Sequence, residues 1–63
     1  MDKQTEKIVK TIYEEISKGQ LFLDWQWVKR EAESLLAGNA PNGTVGKSIQ
    51  EAMQKANLLP VAK

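Results

Sequence analysis

The chain contains neither cysteine nor histidine. The absence of cysteine excludes disulfide bonds, a thiolate metal site and a cysteine nucleophile. The absence of histidine removes the commonest general base and the commonest zinc ligand. These absences disfavour a zinc site, and we expect a protein with no bound metal and no other cofactor.

Long hydrophobic runs are also missing, because the first residues are polar and apolar runs extend over only a few residues. A membrane-spanning helix needs about 20 predominantly apolar residues. A secretory signal peptide needs an apolar central region near the start of the chain. The sequence therefore predicts no membrane segment and a cytoplasmic location.

The chain is short, with 63 residues, of which 41% are hydrophobic and 27% are charged. This is an ordinary globular composition. A domain of about 60 residues buries only about 60% of the surface that its unfolded chain exposes. We therefore expect one domain over residues 1–63, with an efficient core or with burial completed by a partner or a second copy.

Three segments have the apolar spacing of amphipathic helices, and they predict helices over residues 5–18, 24–37 and 44–58. Asp24 is expected to cap the second helix, and Asn42 or Thr44 the third. Gly38 and Pro60 are expected stops. Three helices with short connections predict an all-α fold, a compact three-helix domain that is helix-turn-helix-like. The expected core is Ile8, Ile12, Ile16, Trp25, Val28, Leu35, Val45, Ile49, Met53 and Leu58 or Leu59, with Ala32 and Leu36 also on the inner face.

The net charge is only +1, but the charges are distributed unevenly. Residues 1–36 carry six basic and seven acidic side chains, whereas residues 37–63 carry Lys47, Lys55 and Lys63 against Glu51 alone. Any affinity for phosphate is therefore expected in the last third of the chain. The alternative is that these charges only make the surface soluble.

The outer face of the third helix is the candidate nucleic-acid contact. A recognition helix presents its first turns to base edges and phosphates. Lys and Gln can bind base edges, and Thr and Ser can bind phosphates. The candidate residues are Thr44, Lys47, Ser48, Gln50, Gln54 and Lys55, with Lys29 and Arg30 adding phosphate contacts from the second helix. Gly46 would allow a close backbone approach. The alternative is a solvated helix face, favoured by Glu51 in its middle and by the lack of Arg on this helix.

In the third segment, Gly46 is followed by Ala52 and by the ending Lys55-Ala56-Asn57-Leu58-Leu59. With the preceding helix and the Pro41 loop, this order resembles the helical part of winged-helix domains found in small phage and mobile-element proteins. The resemblance covers nearly the whole chain and implies a tri-helical DNA-binding module, or a descendant of one that binds protein. The chain departs from that pattern because no room for a wing hairpin follows Leu59 before Lys63.

Trp27 is the other candidate contact residue. It lies about 200° around the second helix from Trp25, at roughly 100° per residue. Exposed tryptophans are enriched at binding hot spots, so Trp27 predicts contact with a protein partner, a second copy or a base. The alternative is that Trp27 packs over Phe22 or the first helix and closes the edge of the core.

Catalysis is not expected. The paired carboxylates Glu14 with Glu15 and Glu31 with Glu33 lie on predicted solvated faces, where no pocket would shift their pKa values. We therefore expect a protein that is not an enzyme and has no small-molecule substrate.

The leading interpretation is a helix-turn-helix-type DNA-binding protein, as in phage or mobile-element regulators, with a homodimer doubling its phosphate contacts. The alternative is a protein-interaction module, an adaptor or inhibitor acting through Trp27 and the first helix.

Overall fold

A computed structural model describes residues 2–18 and 23–60 of the chain. It contains three helices, α1 (Lys3–Ile16), α2 (Trp25–Leu36) and α3 (Gly43–Lys55), and no strand within those residues. Each helix packs against both of the others. The all-α, three-helix expectation is confirmed. Within the same two ranges, no helix has the length and apolar character needed to cross a membrane.

Helix α1 begins two residues before the predicted start because Asp2 acts as its N-cap. The Asp2 carboxylate accepts a hydrogen bond from the Thr5 backbone N–H at 2.7 Å. An N-cap side chain satisfies one of the N–H groups that have no partner within the first turn. The helix ends at Ile16, and Ser17 and Lys18, predicted as helical, form a turn.

Helix α2 begins one residue later and ends one residue earlier than predicted, and both of its predicted end signals are used. Asp24 is the N-cap, with its carboxylate 3.4 Å from the Gln26 N–H. At the other end Gly38 adopts a φ of 96°. The N–H of Gly38 donates to the Leu35 carbonyl and that of Asn39 to the Ser34 carbonyl. This pair of bonds is a Schellman motif, which glycine favours because it has no Cβ.

Helix α3 ends at Lys55, three residues earlier than predicted, because Asn57 adopts a left-handed conformation with φ of 63°. The Asn57 N–H donates to the Gln54 carbonyl and the Leu58 N–H to the Met53 carbonyl at 2.8 Å. The chain therefore reverses through a second Schellman motif before Pro60. Leu58 and Leu59 then pack against the core as half-buried side chains.

The core contains one cluster of apolar side chains from all three helices. Its buried members are Val9, Ile12, Val28, Ala32, Leu35, Ile49 and Met53. The prediction was right for Ile12, Val28, Leu35, Ile49 and Met53. Ile8, Ile16, Trp25 and Val45 were expected in the core but are only half-buried around it, and Val9 takes the central position on α1.

The predicted burial of two α2 side chains was wrong. Leu36, expected to face inward, is 40% exposed. Glu31, expected on a solvated face, is buried at 7% exposure. Both follow from the direction in which α3 approaches, since α3 covers the Glu31 side of α2 rather than the Leu36 side.

The cap at Asp2 predicts an acid-dependent loss of stability. Hydrogen bonds from the Thr5 side chain and backbone hold the pKa of Asp2 below its ordinary value of 3.8. A folded-state pKa that is lowered means that the stabilisation is fully present above pH 3.8 and is lost as the pH falls through the folded-state pKa. We expect Asp2→Ala to be less stable at neutral pH, with the difference from the wild type shrinking below pH 3.8.

Urea titrations followed by circular dichroism across the acid range measure this difference. Asp2→Asn is the matched control, because it keeps a capping oxygen but cannot ionise. A stability difference between the wild type and Asp2→Ala that stays constant through the acid range would contradict the assignment of the cap.

Candidate nucleic-acid interface

The start of α3 is attached to α2 through the buried carboxylate of Glu31. Glu31 Oε2 accepts a hydrogen bond from the Asn42 backbone N–H at 2.8 Å. Asn42 occupies the N-cap position of α3, but its side chain makes no capping hydrogen bond. The predicted side-chain cap from Asn42 is therefore not made, and a carboxylate from another helix instead accepts a hydrogen bond from the N–H of the N-cap residue. Its negative charge lies at the positive end of the α3 dipole, where an anion is stabilised.

Gly46 is buried at the same junction. A Cβ on Gly46 would lie 2.6 Å from Glu31 Oε2 and 3.2 Å from the carbonyl carbon of Pro41. The space that glycine leaves is thus occupied by the Glu31 carboxylate and by the backbone of the preceding loop. The expectation that Gly46 lets a nucleic-acid backbone approach is wrong, because Gly46 faces inward.

The outer face of α3 carries most of the predicted contact residues. Thr44, Lys47, Ser48 and Lys55 are exposed, as is Glu51. Gln50 is half-buried. Gln54 is half-buried as well, and its side-chain N–H donates to the Pro60 carbonyl at 3.2 Å. The side chains that are fully presented to a ligand are therefore the hydroxyls and lysines, not the glutamines.

The two predicted α2 contacts point in different directions. Arg30 is exposed on the outer side of α2. Lys29 is half-buried, and its Nζ lies 3.8 Å from a carboxylate oxygen of Glu6 on α1. The structure therefore brings Lys29 to the α1 side of the domain and does not bring it together with Lys47.

The connection between α2 and α3 contains residues 37–42, with exposed side chains at Asn39, Ala40 and Asn42. The turn of a helix-turn-helix motif is usually three or four residues long. The longer connection here is held by the Gly38 reversal at one end and the Asn42–Glu31 hydrogen bond at the other. Both ends of the loop are therefore fixed to α2.

Trp27 lies on the α3 side of α2, where it is half-buried and packs against the core. This agrees in part with the alternative that Trp27 closes the core edge, although Phe22, over which Trp27 was expected to pack, lies outside the described residues. The ring also lines an open groove. The other lining residues are Leu23, Asp24, Asn42, Gly43, Thr44 and Val45.

A second groove, which the sequence did not predict, lies where α1 meets Trp25. It is lined by Lys3, Gln4, Glu6, Lys7, Lys10 and Trp25. Trp25 packs against Tyr13 with ring centroids 5.5 Å apart, and the Tyr13 hydroxyl donates to the Leu23 carbonyl at 3.2 Å. The signal available in the sequence was the spacing of three lysines four and three residues apart, which places them on one helical face.

The acidic side chains do not assemble into a metal site. Glu14, Glu15 and Glu33 are exposed, whereas Glu31 is buried. Among residues 2–18 and 23–60, no three acidic side chains converge in a way that would hold a metal ion.

No protein-family model, curated protein or solved structure matches the chain. What the protein binds is therefore inferred from its own surfaces.

The packing at Gly46 predicts an inverted effect of alanine. Inside a helix, Ala is normally more stabilising than Gly by about 1 kcal/mol. Here the added methyl group would contact the Glu31 carboxylate and the Pro41 backbone, so we expect Gly46→Ala to lower the free energy of unfolding by roughly 1–3 kcal/mol. In a Glu31→Ala background the cost should fall by about 0.5 kcal/mol or more, because one obstacle is gone.

Urea denaturation of the wild type, both single variants and the double variant gives this coupling energy. Ser48→Gly compared with Ser48→Ala measures the ordinary preference for alanine on the exposed face of the same helix. Additive effects of the two substitutions, or a stabilising Gly46→Ala, would show that Glu31 does not occupy the space beside Gly46.

Proposed function

We propose that the protein is a small DNA-binding module of the helix-turn-helix type that contacts duplex DNA with α3. The observation that carries this proposal is the exposed polar face on the first turns of α3, formed by Thr44, Lys47 and Ser48. The start of the helix is fixed to α2 by the Glu31 hydrogen bond. A rigidly held helix can present these groups to a groove with little loss of conformational entropy on binding.

The chemistry of this face suits a DNA backbone and the edges of bases. The Lys47 ammonium can pair with a phosphate or with the acceptors of a guanine. The hydroxyls of Thr44 and Ser48 can donate to phosphate oxygens. Lys55 and Arg30 supply further exposed cations, from the end of α3 and from α2. The half-buried Gln50 and Gln54 lie at the margin of the contact.

Affinity is expected to be low for a single copy. Glu51 lies on the same exposed face and opposes the field of Lys47 and Lys55. Since the electrostatic part of DNA affinity follows the number of phosphates neutralised, two or three cations give weak binding with a strong salt dependence. A homodimer on a palindromic site would double the number of contacts. The proposed role is that of a small phage or mobile-element regulator, and the resemblance to winged-helix domains supports the DNA-binding part of it.

A second candidate function is supported by the groove beside Trp27. Its lining combines the half-buried ring of Trp27 and the aliphatic side chains of Leu23 and Val45 with the polar start of α3. Tryptophan in such a position is typical of a protein contact. In this alternative the protein is an interaction module, and the α3 face is solvated.

Removing the charge of Lys47 tests the proposed function. The wild type should bind a generic duplex of about 20 base pairs at low salt, with a log–log salt slope set by the phosphates it contacts. Lys47→Ala should weaken binding several-fold and reduce the magnitude of that slope by about 0.9. A gel-shift or anisotropy titration over salt concentration measures both effects.

Lys18→Ala is the matched control, because Lys18 is an exposed lysine in the turn after α1 and its removal changes the net charge equally. No binding by the wild type at low salt, or equal losses for Lys18→Ala and Lys47→Ala, would overturn the proposal. The Trp27 groove would then be the surface to investigate.

A further inference from the structure

The groove between the start of α1 and Trp25 is rich in positive charge. Lys3, Lys7 and Lys10 line it together with one carboxylate, Glu6. Glu6 lies 3.8 Å from the Lys29 ammonium on α2. Because Lys29 compensates the Glu6 charge, the three lysines give the groove a net charge that favours an anionic ligand.

The spacing of the lysines suits a linear polyanion. Residues 3, 7 and 10 lie on one side of α1 and span about 10 Å along its axis, at 1.5 Å per residue. Three ammonium groups in a row can neutralise successive phosphates of one strand. A compact anion such as a single phosphate would need convergent donors, and neighbouring positions along one helix face do not converge on one point.

Trp25 supplies an aromatic surface in the same groove. The ring is half-buried and packs against Tyr13, which fixes its orientation. The Lys10 ammonium lies 4.9 Å from the centre of the Trp25 ring. A base that stacks on this ring would release the Lys10 ammonium from its cation–π contact and make it available to the adjacent phosphate. Stacking on aromatic rings is the usual way in which proteins bind unpaired bases.

We propose that this groove binds a short segment of single-stranded nucleic acid, with phosphates on Lys3, Lys7 and Lys10 and a base against Trp25. A positively charged groove with an aromatic platform is the arrangement that single strands require. The aspartate and glutamate side chains of an acidic peptide would pair with the lysines but offer no aromatic ring to stack on Trp25. The aromatic ring therefore favours the nucleic acid.

This site does not depend on the function proposed for α3. Trp25 and Trp27 lie about 200° apart around α2, and they line different grooves. Trp25 faces α1, whereas Glu31 and Trp27 face the start of α3. The two surfaces can therefore be tested separately, one with a single strand and the other with a duplex.

The test is anisotropy of a fluorescein-labelled oligothymidine of about 12 nucleotides, titrated over salt concentration. The variant Lys3→Gln/Lys7→Gln removes two groove lysines and leaves the Lys10–Trp25 contact intact. We expect it to reduce the magnitude of the log–log salt slope by about 1.4, at 0.7 per phosphate contact on a single strand. The matched control Lys47→Gln/Lys55→Gln removes the same charge from α3 and should reduce the single-strand slope by less than the groove variant does.

Trp25 fluorescence gives a second measurement that needs no loss of charge. In Trp27→Phe, Trp25 is the remaining tryptophan, and the strand should quench its emission. In Trp25→Phe, the emission of Trp27 should not change. Circular dichroism of both variants checks that the helices are retained.

Three results would overturn the proposal: no single-strand binding by the wild type at about 50 mM salt, equal losses in both double variants, or stronger binding of polyglutamate than of the oligonucleotide. The last result would identify an acidic protein as the partner. Loss of duplex binding in Lys47→Gln/Lys55→Gln bears only on the proposed function of α3, so failure of one proposal is distinguishable from failure of the other.

Discussion

The hydrogen bond between the buried Glu31 carboxylate and the Asn42 backbone N–H fixes the start of α3 against α2. A buried charge costs several kcal/mol unless polar groups compensate it. Here the compensation comes from the Asn42 N–H and from the positive end of the α3 dipole. Because both are features of the α3 start, the cost of burying Glu31 is offset only when α3 lies in this position. Gly46 permits that position by leaving space for the carboxylate.

This junction determines what each face of α2 contacts. With α3 held against the Glu31 side, Trp27 is placed at the start of α3 and Trp25 is left to pack on α1 against Tyr13 and Lys10. Two tryptophans separated by one residue therefore line two separate grooves. The exposed face of α3 and the lysine groove of α1 become independent surfaces, for which we propose a duplex and a single strand respectively.

The features set by local chemistry could be predicted from the sequence. Asp24 and Gly38 mark the ends of α2 because capping and left-handed reversal depend on the residue itself. The burial of Ile12, Val28 and Ile49 follows from helical spacing. The burial of Glu31 could not be predicted, since it depends on which side of α2 a helix more than ten residues later covers. The groove beside Trp25 could not be predicted either, because it forms only where two helices meet.

Amide hydrogen exchange at Asn42 tests the central role of the Glu31 hydrogen bond most directly. Asn42 lies on an exposed loop, where an amide bonded only to water exchanges rapidly. If Glu31 holds the start of α3, the Asn42 amide should be protected nearly as well as the amides in the middle of α2 and α3. The Ala40 amide, two residues earlier in the same loop, is the internal reference. Exchange of Asn42 at the rate of Ala40 would contradict the account, since the carboxylate would then not be holding the two helices together.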